Sequence, residues 1–422
     1  MNRLLVLVIV FVAFTAAAFK SQQFNVATGF KTAPQNVSGK SDIRFQSHFA
    51  STRQHIQTHA ASAIELKDGR VRAFWFSGSS EGAKDVEIHS AVFDPTHGLW
   101  GREQSIVNRE DTEHSLMRYV SKLGNPVAAR GEDGALWLYF VTVSMGGWAG
   151  SSITLTTSFD EGETWSPPRR LITSPFMNIS TLIKGAPFLY GDGTIGLPVY
   201  HEFISKFGEI LHFDKAGILI GKQRLSAGND HALQPVLLPC NANEALILMR
   251  HSGDDHRNVV SVFTRDGGQH WTKPEKSTLF NPDAALSAIT LADGRILAVL
   301  NNQVQKRDAL TLVLSGDGGK SWKNVYLLED QRGKPVDVAN YQITVAGLAK
   351  EIIGATNDAF VKSAQSAMCS ASECRFEFSY PYLIQTRKGD FHLVYTWNRS
   401  FIKHLWFSQA WLDQQSKETG HD

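Results

Sequence analysis

The stretch SFDEGETW (158–165) returns as TRDGGQHW (264–271) and SGDGGKSW (315–322). One turn written three times means that the chain is assembled from repeated units, and repeats at intervals of roughly 20–50 residues mark solenoids, propellers and arrays. Asp160, Asp266 and Asp317 are separated by 106 and 51 positions. Halving the longer interval predicts a missing copy near 213, and HFDKAG with Asp214 stands there in degraded form; VFDPTHGLW around Asp94 is a second weak copy. The Asp160 carboxylate can accept backbone N–H bonds across its turn, Gly162 can take positive φ, and Trp165 can pack between neighbouring strands. Nothing in the turn is poised as an acid, base or nucleophile, so it reads as structural punctuation.

A second periodic signal runs alongside. IELKDGRVRAFWF, AARGEDGALWLYF, FLYGDGTIGLPVY, LLPCNANEALILM, ITLADGRILAVLN and IQTRKGDFHLVYTW each set two apolar strands around a short turn, which is the pattern of a β-hairpin. Five of the six are followed by an Asp turn or its remnant. The fold class this demands is all-β, a six-bladed β-propeller of four-stranded blades, over residues 51–413. The 34 Gly, 10 Trp and 25 Phe suit many short strands joined by tight turns. An insertion from about Asp330 to Glu377 holds the one helical candidate, AGLAKEIIGATNDAFVKSAQ. Residues 19–50 form a polar extension, read as a closing strand or a tail, and 414–422 a C-terminal tail.

MNRLLVLVIVFVAFTAAAF begins with Arg3, continues with an apolar run and ends in small residues. It reads as a signal peptide, residues 1–18, and implies a periplasmic or secreted protein with no membrane attachment after cleavage. The net charge of +1 gives no reason to expect nucleic acid or an acidic membrane as partner. Cys369 and Cys374 could close a small disulfide loop or stand as two unpaired thiols. No metal-ligand spacing is present, no cofactor is implied, and a monomer is expected. Asn36, Asn178 and Asn398 head Asn-x-Ser sequons.

In an up-and-down blade, the Asp turns and the Asp/Asn–Gly turns share one face. Starts of the first strands and ends of the second strands converge on the other, where a pocket would form. The starts are His59, Asn125, Lys184, Gln234, Asn281 and Tyr380; the ends are Glu81 with Asp85, Trp148, Glu202, Arg250, Arg307, and Arg399 with Lys403. Several cations, carboxylates and a tyrosine suit an anionic sugar, because guanidinium groups hold a carboxylate bidentately.

The SxDxGxTW-like turns resemble the Asp-boxes, or BNR repeats, of the sialidase (neuraminidase) superfamily. ILMR with Arg250 is similar to the second carboxylate-binding arginine of that family, and KRDALTLVLSGDGGKSW puts Arg307 where its third belongs. SYPYLIQT puts Tyr380 at the tyrosine nucleophile, and GSSEGAKDVEI puts Glu81 at the acid/base carboxylate. From about His59 to His404 the chain is also similar to a bacterial group of predicted neuraminidases, through THAASAIEL, EGAKDVEI, VYHEF, LQPVLL, SYPYLIQT and NRSFIKH. Two departures stand out: His59 occupies the place of the first arginine, and Gln234 that of the glutamate that activates the tyrosine. The resemblance implies an exported glycosidase acting on a terminal acidic sugar of a glycan. Arg250 and Arg307 would clamp the carboxylate, Tyr380 would attack, and Glu81 would serve as acid and base. Glu202 and His59 are further catalytic candidates, and Lys184, Gln234, Asp85 and Arg399 wall residues. The departures leave open a lyase or hydrolase for uronic-acid glycans, with His59 or Tyr380 as base, and a non-catalytic carbohydrate-binding propeller.

Overall fold

The computed structural model describes residues 3–22, 29–32, 42–51, 57–174, 178–226, 228, 230–253, 257–334, 336–353 and 358–418. Six antiparallel sheets succeed one another along the chain as six propeller blades. The inner three strands of blade 1 are Gln57–Glu65, Val71–Gly78 and Glu87–Asp94. Blade 2 has Lys122–Arg130, Leu136–Val143 and Ser151–Ser158. In blade 3, two short pieces, Leu182–Ile183 and Phe188–Leu189, share the inner edge of Ile195–His201, and Phe207–Phe213 follows. Blade 4 begins Ala232–Pro239, Ala245–His251 and Asn258–Thr264, and blade 5 Ser287–Thr290, Ile296–Leu300 and Ala309–Ser315. Second strands such as VRAFWFSG and LWLYFVTV are buried at every position. They lie mid-blade with a neighbouring blade on each face, so they read as continuous apolar runs rather than alternating ones.

Blade 6 takes Phe378–Gln385, Phe391–Trp397 and Phe401–Phe407 from the end of the chain, and its outer strand, Phe45–Phe49, from the beginning. Part of the polar extension is therefore a closing strand, which covers the outer edge of Phe401–Phe407. Farther upstream, Phe30 is buried against Phe188, Tyr190 and Trp271, and its N–H donates to the Ala242 carbonyl. Gly29 is required there: at φ 82° a Cβ would stand 2.4 Å from the Ala242 oxygen.

The Asp turns fold as the sequence predicts. In the first, Ser158 donates to Asp160, which accepts from the Thr164 N–H and hydroxyl, while Trp165 Nε1 donates to the Gly162 carbonyl at 3.1 Å. Asp266 and Asp317 repeat the carboxylate bonds; Trp322 Nε1 likewise donates to the Gly319 carbonyl, whereas Trp271 Nε1 donates to Gln223. Degraded copies keep the carboxylate: Asp214 accepts from Ala216 and Ile218, and Asp94 from Thr96. The next residue of the first box, Glu161, accepts from Lys67 and Arg130, on the hairpin-turn ends of blades 1 and 2. Both turn classes thus share one face.

The insertion forms two helices, Val338–Ile353 and Asp358–Met368, and a Cys369–Cys374 disulfide. A last helix, Gln409–Glu418, stacks Trp411 on Phe45. The N-terminal apolar run is helical over Arg3–Gln22, and among the described residues no helix is long and apolar enough to cross a membrane. Of the three sequons, Asn36 lies outside the described residues, and Asn178 and Asn398 are buried.

Candidate active site

The inner strands of blades 1, 2, 4 and 6 share an irregularity. Their pairing slips between His59 and Ser62, Gly124 and Val127, Leu233 and Val236, and Ser379 and Tyr382. Inside each slip one residue has positive φ: Ala60 at 54°, Asn125 at 47°, Gln234 at 55° and Tyr380 at 53°. A bulge of this kind bends the strand and re-aims side chains. Three of the four residues precede a proline, which has no N–H to lose from the ladder. The side chains so aimed meet across blades. Asn125 of blade 2 and Gln234 of blade 4 both donate to the Tyr200 hydroxyl of blade 3, at 3.5 and 3.4 Å. Tyr380 of blade 6 faces His59 of blade 1 with ring centroids 4.4 Å apart.

The arginines arrive from the end of the second strand in blade 4 and from the connections between second and third strands in blades 5 and 6, and are joined by carboxylates. Arg250 donates to Gln234 at 3.3 Å and pairs with Asp283 at 2.7 Å. Arg307 donates to the Asp283 carbonyl and pairs with Glu377 at 3.4 Å. Arg399 pairs with Glu377 at 3.5 Å and with Glu81 at 3.2 Å. A continuous polar chain therefore runs from Tyr200 through Gln234, Arg250, Asp283, Arg307, Glu377 and Arg399 to Glu81. Burial opposes the charge of Arg250, but Tyr380 and Asp283 beside it hold its pKa above the ordinary value. Burial would likewise raise Glu377, yet Arg399 and Arg307 keep its carboxyl below its usual range.

Lys184 is buried, with its Nζ donating to the Pro381 carbonyl at 3.2 Å and lying over the rings of Tyr382 and Tyr380 at 4.9 and 5.9 Å. Burial lowers its pKa to about 7. His59 is pushed down to about 4, chiefly by burial, so its imidazole is neutral near pH 7, and its Nδ1 has no hydrogen-bond partner. Glu202, beside Tyr200, lines a neighbouring cavity of about 410 Å³ with Asp283, and burial raises its pKa.

Tyr380, His59, Lys184, Gln234, Arg250, Arg307, Arg399 and Glu81 thus share one region, with Glu202 at its margin. Asp85 turns back onto its own loop, accepting from the Ser79 hydroxyl and N–H. Lys403 pairs with Glu329 and lies outside the network. Asn281, taken by spacing as the start of a first strand, instead holds Ala284 of its own loop. Sequence reasoning missed Asp283, Glu377 and Tyr200. The X-Pro steps at 125, 234 and 380 were the available signal for the bulges; the two carboxylates carry no motif. Among the described residues no group of His, Cys, Asp and Glu could hold a metal ion.

A family model described as a BNR repeat-like domain matches residues 69–393. The chain belongs to this BNR repeat-like family. Solved structures carry the same fold. The Hadza microbial sialidase Hz136 superposes with a TM-score of 0.63 at 15% identity, over 85% of this chain and 66% of that one. The NanB sialidase of Streptococcus pneumoniae gives 0.61 at 11%, over 86% and 70%. The intramolecular trans-sialidase of Ruminococcus gnavus gives 0.57 at 13%, over 84% and 95%. No curated protein matches the sequence at a significant level. At these identities the likeness shows that the BNR chain has the six-bladed sialidase-like architecture, while its chemistry rests on its own residues.

Proposed function

We propose that this BNR propeller is an exported glycoside hydrolase that removes a terminal acidic sugar, sialic acid or a close relative, from a glycan. The observation that carries the reading is the convergence of Arg250, Arg307 and Arg399, from three successive blades, on the network that also holds Glu81, in the region occupied by Tyr380. Three guanidinium groups at one site suit a sugar carboxylate, and Arg399 supplies the third cation that His59 does not. Export rests on the signal-like segment 1–18. In the reaction, the Tyr380 oxygen attacks the anomeric carbon as the bond to the leaving oxygen breaks, and Glu81 protonates that oxygen. Glu81 then takes a proton from water, whose oxygen displaces Tyr380. An unassisted phenol, with an ordinary pKa near 10, is a weak nucleophile. Glu202 beyond Tyr200, made more basic by burial, takes its proton; His59, beside the ring, is the weaker base because burial lowers its pKa to about 4.

The same imidazole favours a second reading. The unpartnered Nδ1 of His59 is free to accept a proton from beside a uronate carboxylate, which is lyase chemistry, against the weakening of its basicity by burial. A screen of the mature protein against methylumbelliferyl sialoside and a panel of uronic-acid glycans separates the two. Release of methylumbelliferone that falls by about 10³-fold or more in Tyr380→Phe is expected. Formation of an unsaturated uronate product would transfer the assignment to the lyase. Binding without turnover of any ligand would leave a carbohydrate-binding propeller.

A further inference from the structure

The arginine network does not end at the axis. Arg307, Glu377 and Arg399 also form one wall of a cavity of about 740 Å³ lying between the 305–308 loop of blade 5 and the two ends of the insertion, at 331–334 and 373–377. That volume is in the range of roughly 300–1,000 Å³ typical of small-ligand sites. Five cationic side chains line it against three carboxylates. One carboxylate, Glu377, is already held by Arg307 and Arg399. Lys306 and Arg375, by contrast, make no side-chain hydrogen bond or ion pair among the described residues. Asp308, 8% exposed on the same wall, keeps carboxylate oxygen Oδ1 without a partner. An unpartnered acceptor beside uncommitted cations suits a ligand that brings both hydroxyl donors and an anion.

The insertion side of the cavity is built to stay in place. Tyr341 and Phe376 pack edge to face, Phe360 packs on Phe401 of blade 6, and the disulfide closes the turn just before Arg375. This packing holds the backbone that carries Arg375, while the side chains of Arg375 and Lys306 are exposed toward solvent.

We propose that this cavity is a second subsite, which takes an oxyanion-bearing sugar, a uronate or a sulfate ester, adjacent to the acidic sugar held at the axis. The substrate class is then a glycan with two neighbouring acidic residues, a refinement that rests on the glycosidase reading above. The test is calorimetry on Tyr380→Phe protein with sialyllactose, sialyllactose sulfated on its galactose, and sialyllactose oxidised to a uronate at the same sugar. At least one anionic derivative is expected to bind about tenfold more tightly than the parent, which is roughly 1.4 kcal/mol, and the tighter of the two names the source of the anion. The gain should vanish in Lys306→Glu/Arg375→Glu and survive Lys388→Glu, which changes net charge on the opposite face. Equal affinity for all three ligands, or a gain that survives the double reversal, overturns the subsite. If no sialoside binds, the glycosidase reading fails separately, and the comparison is made with digalacturonate against neutral galactobiose. Preference for the diacid, abolished by the double reversal, then supports the cavity alone, and absence of preference overturns it.

Discussion

Lys184 illustrates how a single buried charge ties stability to pH. Its folded-state pKa of about 7 lies below the ordinary 10.5, because burial disfavours the ammonium form. Between those values the unfolded chain holds the extra proton, so this contribution to stability rises with pH over that window and is at its worst below 7. Lys184→Met is therefore expected to raise the Tm at pH 6–7, with a stability gain of up to about 5 kcal/mol from a shift of this size. The advantage should shrink steadily as scanning calorimetry is carried toward pH 10. Glu377 works in the opposite sense: it joins two guanidinium groups that are themselves partly buried. Glu377→Gln leaves both arginines facing a neutral amide, and urea unfolding should show a loss of about 2 kcal/mol. Neither role was legible in the sequence. Lys184 was visible as a candidate wall residue at a strand start but not as a buried, destabilised charge, and Glu377 only as one charge among many, because what distinguishes them is which other blades they meet.

At the level of elements, the turns were the most readable part. Asp160, Asp266 and Asp317 make local bonds within about four residues, so their geometry follows from short-range chemistry alone. Even the remnants at Asp94 and Asp214 keep it. The bulges were less readable. X-Pro marks the positions, but a residue before proline ordinarily avoids the helical region and stays extended. Positive φ at Tyr380 and Gln234 is imposed by the surrounding blades. Phe30 shows the same limit from the other direction: one of several aromatics in a polar extension turns out to be a core residue. Phe30→Ala should cost about 3 kcal/mol in chemical denaturation, in line with emptying an aromatic site in a packed core.

For the whole molecule the decisive device is closure. The outer strand of blade 6 comes from Phe45–Phe49, paired along its length with Phe401–Phe407. A propeller lacking it would open both at that blade and over the Trp411 contact. A chain beginning at Asp42 should fold with the modest deficit expected from loss of Phe30. One beginning at Ser51 should lose its single cooperative thermal transition and aggregate on heating.

What the sequence determined by itself is everything with a short range or a fixed period: the repeated turns, the six hairpins, the number of blades and the face on which side chains converge. Those follow from hydrogen bonds closed within a turn and from an apolar pattern repeated blade by blade. What only the tertiary structure decided is the identity of the site's partners. Asp283 between Arg250 and Arg307, Glu377 between Arg307 and Arg399, and Glu81 against Arg399 are contacts across up to 318 positions of sequence. Their strength depends on shared burial at the axis, where charges are only partly screened by water, and burial belongs to the assembled blades rather than to any one of them.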